Sequence, residues 1–376
     1  MTNAPFEPFP YAHAHRREIV WMSQNTNHLV PPEPATNAIR QALDERRYEG
    51  YPLAAGLPEL RSLVVSDLGL PSDVGCLLTA GGTEALYMLT RALLAPGDEV
   101  VASDPSYLII HKFIELAGAR PVPLDIYAPP YRLTADRVAE AIGPKTKMIL
   151  LIDPLNPHGS GYPPEEVRAI AELAKDHGLW LLNDITYRDF ADVHTLAYPF
   201  HPEKTLTVWS VSKNCGLAGL RIGGLAAAPD VTQAIHRFNT NDLGVNILAQ
   251  VAALADLQTK SKWFGNVRTT CRQNQATIRE AVAATPGTFL PVYPSQANMF
   301  AIDISATGIA PERLQETLLR DDGVFLRAGN YLSPKFGGRF VRVSFSNPPS
   351  EIAKFASVFP AAVERLRASA PMPRAV

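Results

Sequence analysis

Cysteine is scarce in this chain: Cys76, Cys215 and Cys271 are the only three among 376 residues. Their wide spacing fits neither a disulfide framework nor a zinc site, so no metal is expected, and Cys215 reads as a small buried filler or a reactive thiol. An excess of either charge is also missing, with 35 basic against 37 acidic residues. That balance argues against a nucleic acid or an acidic membrane surface as partner. No apolar run approaches the length of a membrane span, and the opening MTNAPFEPFPYAHAHRR has no apolar core of the kind a secretory leader carries. A cytoplasmic protein is expected. Internal repeats and low-complexity linkers are lacking as well, which excludes a solenoid. What remains is an ordinary globular composition, 46% hydrophobic. At this length it favours one large domain and a smaller one.

Short apolar runs recur at 99–103, 119–124, 148–152, 179–183, 206–210 and 224–227, most of them separated by helical patterns such as 107–116 and 164–177. Short apolar strands alternating with helices are the mark of a parallel sheet buried on both faces. A further strand at 76–79 leads into AGGTEALYMLTRALL, a glycine turn that runs straight into a helix. Before it, a strand is expected at 19–22 and helices at 34–46 and 58–68. The first twenty residues, rich in proline, aromatics and histidine, show no period and read as a docking arm. Two helices, at 233–258 and 263–284, are expected to close the sheet domain. Beyond them, strands at 299–304 and 340–345 with helices at 311–319 and 351–367 suggest a smaller α+β unit completed by the arm, and the final MPRAV is expected to fray. The fold class is therefore α/β: a large domain with a mostly parallel seven-stranded sheet flanked by helices, plus a smaller α+β domain. The expected division is 1–46, 47–284 and 285–376.

Function in an α/β sheet sits at the carboxyl ends of strands. Here those ends carry AGGTEAL, where Gly82 and Thr83 open a helix as a phosphate cradle would; DPSY, with Tyr107 able to stack on a flat ring; DPLNPHG, with Asn156 in a turn; and NDITYRDF, with Asp184 and Tyr187 three residues apart. The fifth is SVSKNCGLAGLRIGG, which sets Lys213 between Ser210 and Ser212 and places Arg221 eight residues later. A desolvated lysine near a cation is pushed towards its neutral, nucleophilic form, as Schiff-base chemistry requires. An arginine fork suits a phosphate. Taken singly, each motif is also an everyday turn, core tyrosine or solvated lysine.

In combination and in this order, AGGTEAL, DPSY, NPHG, DITY, SVSK and GLAGLRIG resemble the pyridoxal-phosphate enzymes of the aspartate-aminotransferase fold (fold type I), in the class I/II aminotransferase group, over about residues 19–359. PSQAN and NTNDLGVNILAQVAALADL look like the histidinol-phosphate aminotransferase branch. YPLAAGLPELR and RFVRVSFS look more like the aspartate and aromatic aminotransferases. The resemblance implies pyridoxal 5′-phosphate held covalently by Lys213, which also shuttles the proton. It implies Asp184 against the ring nitrogen, Tyr187 and Asn156 against the ring hydroxyl, and Tyr107 on the ring face. Gly82, Thr83, Ser210, Ser212 and Arg221 would hold the phosphate, with Tyr51 reaching the phosphate of a neighbouring subunit in a homodimer with shared active sites. Arg342, inside an apolar strand, would take the substrate α-carboxylate, with Arg339 and Arg327 as nearby competitors.

Two stretches depart from the family pattern. His158 in DPLNPHG stands where a small hydroxyl residue is usual, and SQNTNHL replaces a glycine-containing entrance segment. There Asn25, Asn27 and His28 either read a polar substrate side chain or cap the following helix. The expected activity is transfer of the amino group of an L-amino acid, aspartate or another polar one, to a 2-oxo acid by ping-pong chemistry. The alternatives are decarboxylation, elimination or oxidation on the same cofactor, and histidinol-phosphate transamination, for which the phosphate-reading arginine set is missing. A ligand-sensing domain of a DNA-binding regulator is a further reading, opposed by the mere eighteen residues before Ile19.

Overall fold

A computed structural model describes residues 6–239 and 242–369. Twelve strands are found among them: β1 (Val20–Trp21), β2 (Gly75–Thr79), β3 (Glu99–Asp104), β4 (Arg120–Asp125), β5 (Thr146–Ile152), β6 (Trp180–Asp184), β7 (Thr205–Ser210), β8 (Gly223–Ala227), β9 (Met299–Asp303), β10 (Val324–Phe325), β11 (Arg327–Ala328) and β12 (Phe340–Ser344). Seven form one sheet in the order β2-β8-β7-β6-β5-β3-β4. Only β8 runs against its neighbours. The other six therefore point the same way and deliver their carboxyl ends to one edge. The central strands are apolar without alternation because helices cover both faces. Every residue of β7 is buried, as are all but Lys147 in β5.

The expected strands all form, each with boundaries shifted by no more than two residues. Two helical expectations need correction. The pair at 233–258 and 263–284 is instead a short helix, Pro229–His236, and one helix of 37 residues, Ile247–Ala283. Asn246 starts the long one: its side chain accepts from the amides of Leu248 and Ala249, the N-cap arrangement. Nothing in TKSKW interrupts a helix, since it holds neither proline nor glycine, and the turns run on through it. The arm, expected to lack regular structure, forms the helix Pro8–Ala14. Pro8 suits its first turn, and tertiary packing supplies what periodicity does not. Phe9 meets Phe325 edge-on at 5.0 Å, and Trp21 meets the same ring at 5.1 Å.

A second sheet, β11-β12-β9, is antiparallel. The helices Pro311–Arg320 and Pro349–Ala368 belong to the same stretch of chain. The arm joins this part through β1, which pairs in parallel with β10. The pairs β1-β10 and β11-β12 include short strands that no apolar run announced, because two-residue strands carry no period. The expectation for MPRAV lies outside the described residues. Among those residues no helix is long and apolar enough to cross a membrane, and no cluster of metal-ligating side chains occurs.

Candidate active site

The carboxyl ends of the parallel strands open into a cavity of about 480 Å³. Its floor comes from β7 and the one-turn helix Val211–Asn214 that follows. Ser210 caps that turn, its hydroxyl accepting from the Ser212 amide at 3.1 Å and lying 2.9 Å from the Ser212 hydroxyl. The turn directs Lys213 into the cavity, where Nζ donates to the carbonyl of Gln24 at 2.7 Å. Burial, then the positive charges of Arg342 and Arg221, pull the Lys213 ammonium down to about 7. A fair fraction of the amine is therefore neutral near pH 7, which is the state a nucleophilic lysine needs.

Beside it, β6 ends on Asp184, paired in register with Val208 of β7. The Asp184 carboxylate is buried, and Oδ1 accepts from both the amide and the hydroxyl of Thr186, at 3.0 and 2.6 Å. Oδ2 has no hydrogen-bond partner among the described residues. Desolvation raises the Asp184 pKa, opposed by the Thr186 bonds. Tyr187, three residues on, accepts from Asn25 Nδ2 at 3.0 Å. Its phenol is pushed up to about 12, mainly by burial, so it keeps its proton and can donate.

The glycine turn after β2 forms the third wall. Gly81 is left-handed at φ 85, and the helix Gly82–Leu93 begins immediately. A Cβ on Gly223 would lie 2.5 Å from the Gly82 amide nitrogen, and one on Gly81 would strike the Arg221 guanidinium. Only glycine lets these backbones close up. Arg221, itself left-handed at φ 57, donates to the carbonyls of Ala218 and Ala80 and so stands at the helix N-terminus. Amides, two serine hydroxyls and a guanidinium thus converge where a helix dipole is positive, a cradle suited to a phosphate. Thr83 and Tyr107 share a 3.3 Å contact along the same wall.

The remaining wall comes from elsewhere in the chain. Arg342 on β12 is buried, donating to Asn156 Oδ1 at 2.8 Å and to the carbonyl of Ser23 at 2.6 Å, with Nε unpartnered. The entrance turn therefore touches the site largely through its backbone: Ser23 holds Arg342 and Gln24 holds Lys213.

Of the expected site residues, Gly82, Thr83, Tyr107, Asn156, Asp184, Tyr187, Ser210, Ser212, Lys213, Arg221 and Arg342 all line this one cavity. Three do not. Asn27 is buried behind the floor, donating to the carbonyl of Asn214 at 3.2 Å and accepting from the Leu29 amide. It fixes the turn that carries Lys213. His28 is exposed, 2.8 Å from the Thr26 hydroxyl. Tyr51 is 82% exposed and does not line this cavity. Asn25 does line the cavity, as does Arg327, weighed from the sequence only as a competitor to Arg342, while Gln24, Arg16, Trp21 and Tyr331 line it without having been selected as site residues. Arginine was the available signal: Arg327 sits one strand before Arg342. Cys215 is buried and its thiol is raised well above the ordinary range by burial, so it is a filler rather than a reactive thiol.

The donor set tests well against pyridoxal 5′-phosphate: a cradle closed by glycines, a buried carboxylate with one free oxygen, and a lysine poised near neutrality. Fold and site define a fold type I aminotransferase, and comparison with known proteins agrees. Residues 17–359 match the family model for aminotransferase class I and II, and the chain belongs to that family. The aspartate aminotransferase of Pyrococcus horikoshii is 27% identical over 333 residues, covering 85% of this chain and 84% of its own length. The aspartate/prephenate aminotransferase of Thermus thermophilus is 30% identical over 341 residues, covering 86% and 85%. A solved structure of a single mutant of the Thermus thermophilus aspartate aminotransferase superposes with a TM-score of 0.83 at 26% identity, over 96% of this chain and 97% of the other.

Proposed function

We propose that this aminotransferase binds pyridoxal 5′-phosphate through Lys213 and moves the amino group of a polar L-amino acid, aspartate among them, to a 2-oxo acid by a ping-pong route. The observation that carries this is the placing of Lys213, with an amine near neutrality, between a phosphate cradle and a buried aspartate on adjacent strands. When bound, pyridoxal phosphate supplies an electron sink that stabilises negative charge at the substrate Cα.

Each residue then has a defined task. Arg221, the Ser210 and Ser212 hydroxyls and the amides at Gly82 and Thr83 hold the phosphate. The free oxygen of Asp184 would accept a hydrogen bond from the protonated ring nitrogen and so keep the proton on that nitrogen, an interaction strengthened by the dry surroundings. Tyr187 donates to the ring hydroxyl, as does Asn156, whose Oδ1 is already committed to Arg342. Tyr107 covers a ring face. Arg342 orients the substrate α-carboxylate, and the freed Lys213 amine carries the proton from the substrate Cα.

The reading includes a homodimer in the cytoplasm. Tyr48, Tyr51 and Leu53 are exposed, and the backbone at Gly244 approaches the carbonyl of Leu53, next to exposed Leu243. An apolar patch of this kind suits a second copy, with Tyr51 reaching the partner's phosphate. The division of the chain at 46 and 284 belongs to the same proposal, with the substrate held between the two parts.

Purified protein given pyridoxal 5′-phosphate should turn yellow, and borohydride should fix the cofactor to Lys213. Single L-amino acids should then produce the pyridoxamine form and a 2-oxo acid. A protein that stays colourless would overturn the reading. Release of carbon dioxide, ammonia or peroxide in place of the oxo acid would move it to decarboxylation, elimination or oxidation.

A further inference from the structure

The entrance turn lacks the glycine expected of it, and Asn25 takes a glycine-like conformation there, left-handed at φ 54. Asparagine tolerates this region better than most residues, yet the conformation still costs free energy. The side chain so presented is buried and lines the cavity. Among the described residues its one hydrogen bond runs from Nδ2 to the Tyr187 phenol oxygen at 3.0 Å. Oδ1 is buried without a partner. An asparagine that only braced the fold would satisfy both ends of its amide. This one leaves its acceptor unpaired and gives its donor to a single phenol.

The turn has other anchors. The Asn25 carbonyl accepts from Asn298 Nδ2 at 3.0 Å, and the same Nδ2 lies 2.8 Å from the Ser346 hydroxyl, which itself donates to the Thr26 carbonyl. On the other side, the carbonyls of Ser23 and Gln24 accept from Arg342 and Lys213. The backbone is therefore held without help from the Asn25 amide.

A phenol has one proton to give and an oxygen that also accepts. Because Asn25 donates to that oxygen, the Tyr187 proton must point elsewhere, and the open direction is the cavity. Arg342, Asp184 and Tyr107 face the phenol electrostatically, but among the described residues none of them hydrogen-bonds to it. Accepting a bond also polarises an O–H group and makes it a stronger donor. Burial pushes the phenol up, and Arg342 and then the Asn25 bond oppose it, in keeping with that polarisation.

We propose that Asn25 is a positioning residue for Tyr187: it turns the phenol proton into the cavity and strengthens it as a donor to the ring hydroxyl of the cofactor. This rests on the assignment of Tyr187 to that hydroxyl. The ring oxygen stands beside the carbon that Lys213 joins, so a stronger donor there draws off negative charge and loosens the proton on the joined nitrogen.

The test follows the absorbance of the holoenzyme against pH, which reports that proton without turnover. Asn25→Gly suits the left-handed backbone and removes only the amide; it should raise the midpoint by about 0.5 pH unit. It should also lower kcat of the amino-donor half-reaction about threefold with KM little changed. In a Tyr187→Phe background the same substitution should move the midpoint by less than about 0.1 unit, because no phenol remains to be positioned. Asn25→Asp puts an acceptor where Nδ2 stood, draws the phenol proton away from the ring, and should raise the midpoint by about 1 unit or more. An unchanged midpoint in either Asn25 variant would overturn the inference, as would an Asn25→Gly shift of equal size with and without the Tyr187 phenol. A colourless wild-type protein would overturn the cofactor reading itself, and this inference with it.

Discussion

The two halves of the cavity are built in different ways. The half around the phosphate cradle comes from strand ends of one sheet: Gly82 after β2, Asp184 at the end of β6, and Ser210 and Lys213 at and after the end of β7. The half around Arg342 is assembled from Ser23 and Gln24 of the arm, Asn156 of the turn after β5, and Arg327 and Arg342 of the second sheet, with partners up to 319 residues apart in sequence. Strand ends in a parallel sheet are fixed by the hydrogen-bond ladder, so side chains there are placed by local rules. The second half depends on how the arm and the second sheet seat on the first. Chemistry common to a large family can thus sit on the rigid half, while substrate choice varies on the other.

The sharpest way to break this contrast is to remove its centre. Lys213→Ala should abolish borohydride-fixable cofactor and lower the amino-donor half-reaction by at least about 10³-fold, measured by single-turnover absorbance. Asp184→Asn should come next, with a loss of about 10²–10³-fold in kcat at little change in substrate KM, because the group it addresses gains charge only as the reaction proceeds. Arg342→Ala should cost about 10²-fold in kcat/KM, carried by KM rather than kcat. If instead Arg342→Ala lowered kcat alone, the division into a chemical half and a binding half would fail.

The halves also communicate through charge, which pH can reveal. Lys213 is held down to about 7, so in cofactor-free protein the neutral amine disappears as pH falls below that value. The rate of covalent capture of pyridoxal 5′-phosphate should fall about tenfold per pH unit there and level off above it. Because Arg342 is one of the charges depressing it, Arg342→Ala should move this midpoint upward; an unchanged midpoint would show that burial alone sets it. The smallest effect is expected at His158. Both its ring nitrogens are buried and unpartnered, among Tyr127, Tyr131 and Phe340, and burial pulls the imidazole down to about 3. His158→Phe should therefore change stability to urea by less than about 1 kcal/mol, in the stabilising direction if at all. A large loss would assign the ring a polar role after all.

His158 also illustrates where the sequence was a partial guide. It marked a departure from the family pattern, and the structure makes it an aromatic filler between the turn after β5 and Phe340 of β12. Asn27 and His28 were marked for the same reason and fall outside the cavity, while Ser23 and Gln24 of the same turn reach Arg342 and Lys213 through carbonyl oxygens. A carbonyl is present at every residue, so no amino-acid type could have singled these two out. The long helix Ile247–Ala283 was divided in two by the sequence pattern at the polar stretch 259–262, which interrupts the apolar residues but not the helix. It packs against the helices Glu33–Asp44 and Pro58–Asp67 at one end and Pro349–Ala368 at the other.

The amino-acid sequence by itself determined the sheet, its strand ends and the residues standing on them. Apolar runs, glycine turns and the positions of Lys213, Asp184 and Arg221 are all local properties of the chain. Only the tertiary structure decided which side of the cavity faces substrate and what lies there. The register that puts Arg327 beside Arg342, the ring of Phe9 against Arg327, and the carbonyls of Ser23 and Gln24 turned inward all follow from packing between segments distant in sequence. Such contacts form once the buried faces of the arm and the second sheet have met, and no stretch of residues encodes them alone.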